Sequence, residues 1–121
     1  MPLKRVRLEL AREPGHPLGS QHSGYTFIAP LDEDGKLDAA EWKKTRTQCT
    51  VHRYWEGEPE RDGRLTHISG IWRFHYPGDD ADEDDPIYKL GNHRLVPGEY
   101  ISIDEDDGER HVFKVRSVDP I

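Results

Sequence analysis

The sequence predicts an all-β, mainly antiparallel domain, either a small partly open barrel or a two-sheet sandwich, with one short helix near residues 39–45. Three observations carry this. Turn dipeptides recur along the chain: Asp34-Gly35, Glu56-Gly57, Asp62-Gly63, Pro77-Gly78, Pro97-Gly98 and Asp107-Gly108. The runs between them are short and rich in β-branched and aromatic residues, the rhythm of a barrel or sandwich. Where alternation is clearest its period is two, which sorts side chains onto opposite faces of a strand.

Each element follows in order. Over residues 3–11, Val6, Leu8 and Leu10 alternate with Arg5, Arg7 and Glu9, giving one apolar and one charged face. Pro14 and Pro17 then bar a central strand and leave a loop. Gly24 to Ala29 reads as a second strand. Asp38 suits an N-cap, with Glu41 three residues on as in a capping box, and Leu37 and Trp42 placed to staple the helix start. This helix is expected to cover an open barrel end.

A long hairpin is expected from arms 47–56 and 64–76 around a loop at about 57–62. Cys49, Val51 and Trp55 share one face of the first arm, and Ile68, Trp72, Phe74 and Tyr76 share one face of the second. Setting these faces together pairs Val51 with Ile68, places His52 opposite His67 and leaves Gly70 facing Cys49. A short strand near Ile87 to Leu90 is expected to bridge to the last hairpin, residues 99–105 and 109–118. There a three-residue loop, Asp106-Asp107-Gly108, pairs Ile101 with Phe113 and Ile103 with His111.

Composition bounds what this chain does. At 121 residues it forms one domain, spanning 1–121. Its 25 Leu, Ile, Val and Phe residues are a thin supply, but three Trp and five Tyr add burial, so a folded domain with a small core is expected. No run of about 18 apolar residues offers a transmembrane helix. No apolar export-signal run follows the basic start, and with a lone Cys49 a cytoplasmic location is expected. The net charge is −7, with 17 Lys/Arg against 24 Asp/Glu. Residues 1–53 carry nine Lys/Arg and seven Asp/Glu, while residues 54–121 carry eight and seventeen. Such an anionic chain repels phosphate, which argues against nucleic acid as a partner.

The run Gly98-Glu99-Tyr100-Ile101-Ser102-Ile103, with Asp107-Gly108 and His111-Val112-Phe113-Lys114-Val115, resembles the tail of small bacterial all-β proteins that carry no assigned activity. Gly70-Ile71-Trp72-Arg73-Phe74-His75-Tyr76 adds to that likeness. The resemblance covers about a fifth of the chain and implies a bacterial, cytoplasmic all-β protein. It implies no reaction, cofactor or site residue.

Candidate chemistry is sparse. His52 and His67, as cross-strand partners, are placed to share zinc or another transition metal, with His16, His22 or an acidic loop as a third ligand. The plain alternative is two histidines on a polar face. Cys49-x-x-His52 has ligand-like spacing, but residues three apart on a strand face opposite ways, so Cys49 reads as a core residue. Asp79, Asp80, Asp82, Glu83, Asp84 and Asp85 form an acidic loop of calcium-binding composition without the EF-hand spacing, better suited to solvation or a basic partner. No Gly-x-Ser-x-Gly turn or phosphate-cradling glycine loop is present.

The leading expectation is therefore a non-catalytic binding or interaction module, not an enzyme. Tyr54, Leu65 and Ile71, on the hairpin face away from the core, are its candidate contact surface for an unknown protein partner or a second copy. The alternatives are a small enzyme or metal-dependent protein using His52, His67 and nearby carboxylates, and a nucleic-acid adaptor using the basic stripe Lys4, Arg5 and Arg7, extended by Arg53, Arg64 and Arg73, with Tyr54 to stack bases.

Overall fold

The computed structural model describes residues 3–12, 17, 19–68, 70–76, 85–86, 94–104 and 110–121. Its strands are β1 (Leu3–Leu10), β2 (Ser20–Pro30), β3 (Thr50–Tyr54), β4 (Arg61–Ile68), β5 (Ile71–His75), β6 (Asp85–Pro86), β7 (Tyr100–Asp104) and β8 (Arg110–Pro120). Helix α1 (Ala39–Thr45) lies between β2 and β3. Among the described residues the strands form one antiparallel sheet in the order β6-β5-β4-β3-β2-β1-β8-β7. Its outermost strands, β6 and β7, approach within 8 Å between Cα atoms. The sheet curls into a half-barrel, which decides against two stacked sheets.

The expected β1 alternation holds: Val6, Leu8 and Leu10 are buried. They meet Tyr25 and Phe27 of β2, Val51 of β3, Phe74 of β5 and Phe113 of β8 in the core. Tyr25 lies 4.8 Å from Phe74 and 5.2 Å from Phe113 between ring centroids, and Phe27 lies 5.3 Å from Phe74. Such tilted and edge contacts suit the aromatic quadrupole.

Helix α1 begins as its sequence indicates. Asp38 Oδ1 accepts a hydrogen bond from the Glu41 backbone N–H at 3.0 Å. Leu37 is partly buried against the core and Trp42 is buried within it. The Trp42 indole N–H donates to the Leu65 carbonyl at 3.0 Å, tying the helix to β4.

The last hairpin has the expected register, with Ile101 opposite Phe113 and Ile103 opposite His111. All four are buried. Its Asp106-Asp107-Gly108 loop and the expected strand at Ile87–Leu90 lie outside the described residues. Strand β2 starts four residues before the expected Gly24 and ends one residue past Ala29.

The central hairpin departs from expectation. The second arm is two strands, β4 and β5, joined at a turn where Gly70 takes φ 79°. Val51 pairs with Gly63, not Ile68, and His52 pairs with Asp62, not His67. Two physical causes account for this. Gly63 marks a close approach of strands, not a turn: a Cβ there would stand 2.1 Å from the His75 carbonyl oxygen. The turn at Gly70 also reverses face parity. Across it Leu65 pairs with Phe74 and His67 with Trp72, so odd positions of β4 face the same side as even positions of β5. Leu65 is consequently 1% exposed and belongs to the core.

Among the described residues no helix is long and apolar enough to cross a membrane.

Candidate ligand cleft on the outer face

Strand pairing aligns four polar residues across the outer face. Arg7 of β1 is opposite Thr26 of β2, Thr26 is opposite His52 of β3, and His52 is opposite Asp62 of β4. Beside this row, Tyr54 pairs with Gly24. A Cβ at Gly24 would stand 2.0 Å from the Leu8 carbonyl oxygen and 3.0 Å from the Tyr54 hydroxyl. With hydrogen there instead, the Tyr54 hydroxyl donates to the Leu8 carbonyl at 3.1 Å. The Arg7 guanidinium carbon stands 5.5 Å from the centre of the Tyr54 ring, a cation–π distance. Burial pushes the Tyr54 phenol pKa up, against the opposing charge of Arg7.

His52 is held from both sides. Its Nδ1 lies 2.5 Å from Asp62 Oδ1 and its Nε2 2.7 Å from Glu60 Oε1. A carboxylate only accepts, so both contacts are hydrogen bonds at once only when the ring carries both protons, as an imidazolium. The hydrogen bond to Asp62 is the main cause of a raised His52 pKa; partial burial opposes it and Glu60 adds to it.

The segment after β3 forms the far wall. The Glu56 N–H donates to Ser23 Oγ at 3.2 Å, and the Glu58 N–H to the Trp55 carbonyl at 3.0 Å. Glu58 reaches the buried Arg53 at 3.3 Å. Arg53 lies 5.0 Å from the Trp55 ring centre, and Trp55 packs on His111 at 5.3 Å. Between this wall and the row lies an open cleft of about 410 Å³ lined by Arg7, His22, Thr26, His52, Tyr54, Trp55, Glu58 and Glu60. That volume falls in the range of small-molecule sites.

The residues expected from sequence are dispersed. His52 and Tyr54 line the cleft, and so does His22. His67 lies on the opposite face of the sheet, stacked on Trp72 at 4.2 Å with Trp42 at 6.1 Å. The pairing register thus separates the two candidate metal ligands. Among the described residues no three His, Cys, Asp or Glu side chains converge as a metal group. Leu65 is core, so Tyr54, Leu65 and Ile71 do not share a surface; Ile71 is exposed beside the β4–β5 turn. Asp79, Asp80, Asp82, Glu83 and Asp84 lie outside the described residues, and of Asp85 only the backbone in β6 is described.

Sequence reasoning passed over Glu58 and Glu60, although Glu56, Glu58, Glu60 and Asp62 place an acid at every second position. It read Arg53 as part of an exposed basic stripe, whereas Arg53 is buried, as a lone charge between the inward-facing Val51 and Trp55 signals. Cys49 is buried beside Thr45 at 3.7 Å, and burial pushes its thiol pKa up, away from the reactive thiolate. While held by both carboxylates, His52 has no free lone pair with which to take a proton. No protein-family model, curated protein or solved structure matches this chain.

Proposed function

We propose that this protein is a non-catalytic binding module whose ligand seat is the cleft across β1, β2 and β3. The observation that carries this reading is the cleft itself: two aromatic rings and a row of charged groups, each charge already met by a partner, around about 410 Å³. Six of the eight lining residues are polar and the Tyr54 and Trp55 rings supply the apolar surface, a composition that suits a small polar ligand. The wall's backbone is braced through Ser23, and Glu58 through Arg53, which lowers the ordering cost of filling the cleft.

The test is a protein-observed NMR screen of small polar molecules against the full chain and against Thr26→Phe, which fills the cleft floor. Binding molecules should shift the Trp55 indole and the His52 ring signals, and those shifts should vanish in Thr26→Phe while the remaining spectrum stays folded. Ligands that map to another surface, or that bind Thr26→Phe equally well, would overturn the assignment.

A further inference from the structure

Each charge around the cleft has an opposite partner: Arg7 lies against Glu9 at 3.5 Å, Glu58 against Arg53 at 3.3 Å, and His52 between Asp62 and Glu60. Glu60 occupies His52 Nε2 at 2.7 Å, yet its side chain is 66% exposed and that of His52 40% exposed. Such a pair contributes only about 0–1 kcal/mol, so a ligand can replace it cheaply. Asp62 is exposed too, at 83%, but it stands in β4 directly opposite His52, so it remains the Nδ1 partner and favours the protonated ring when Glu60, outside the strand, is displaced.

We propose that the cleft takes a small zwitterion, its carboxylate replacing Glu60 at His52 Nε2 and its ammonium meeting the displaced Glu60 and the neighbouring Glu58. This rests on the cleft being the binding seat. The exchange trades one internal ion pair for two pairs across the ligand and leaves the local charge unchanged. A simple anion would strand the Glu60 carboxylate in a chain already at −7. A simple cation would gain Glu58 and Glu60 only by drawing Glu60 from His52, leaving the imidazolium Nε2–H without its acceptor. The Arg7 guanidinium, two strands away along the row, lies against Glu9 at 3.5 Å and over the Tyr54 ring, so His52 is the donor the ligand carboxylate meets.

The experiment is an NMR titration of the full chain with three probes of one skeleton: γ-aminobutyrate, butyrate and butylamine. At a pH of about 6, below the ordinary histidine pKa, γ-aminobutyrate should shift the His52 ring and Trp55 indole signals with a Kd of about 1 mM, and the single-charge probes should bind at least about tenfold more weakly. In Glu60→Gln that preference should collapse, because butyrate loses its competitor and the zwitterion loses its ammonium partner. Equal binding of butyrate or butylamine in the parent chain, or a preference unchanged in Glu60→Gln, overturns the zwitterion. No response to any of the three also overturns it. The cleft reading falls separately, if the broader screen finds no ligand there.

Discussion

Leu65 and Ile71 stand six residues apart and both read as surface positions in the alternation of a single arm. The structure separates them, and paired truncations measure by how much. Leu65 is 1% exposed, opposite Phe74, whereas Ile71 is 42% exposed. The backbone bonds at Leu65, its N–H to the Cys49 carbonyl at 2.9 Å and its carbonyl to the Trp42 indole at 3.0 Å, survive truncation to alanine. The loss is therefore one of packing. Burying Leu and then removing it costs about 2–5 kcal/mol, and aromatic neighbours that cannot collapse into the gap favour the middle of that range, about 3–4 kcal/mol. Ile71→Ala should cost about 0.5 kcal/mol, as surface changes do. With a urea m-value near 2 kcal/mol/M, Leu65→Ala should lower the unfolding midpoint by about 1.5–2 M, and Ile71→Ala by a few tenths, both at unchanged m. Equal midpoints for the two variants would refute the β4–β5 turn and the core assignment of Leu65.

Three further outcomes are expected. Gly63→Ala places a methyl 2.1 Å from backbone oxygen that cannot yield, so it should destabilise by about 2–3 kcal/mol, more than Gly57→Ala, which meets open space and costs about 1–2 kcal/mol through its φ of 83°; chemical unfolding compares them, and the reverse order would contradict the strand crossing. Cys49 should resist a thiol reagent in the native protein and react promptly once unfolded, a contrast that rapid native labelling would rule out. His52 has a raised pKa when folded, so its bonds to Asp62 and Glu60 contribute fully below about pH 6.5, the unfolded value, and the contribution fades as pH rises through the folded pKa. For groups this exposed the effect is about 1 kcal/mol or less; the stability gap between the parent chain and His52→Gln should narrow with rising pH, and a gap that widens would show the sign to be wrong.

The sequence by itself determined the local elements: the period-two faces of β1, the Asp38 cap of α1, and the pairing of Ile101 with Phe113 and of Ile103 with His111. Each depends on residues close along the chain and on which side must leave water. Only the tertiary structure decided where β4 ends and β5 begins, and with that the face of Leu65 and the separation of His52 from His67. Asp62-Gly63 has turn composition, yet it serves inside a strand because two backbones approach there too closely for a side chain. The cleft lay further from view. Its row of residues 7, 26, 52 and 62 exists only through three successive strand pairings, and a slip of one residue in any of them would carry a member to the other face.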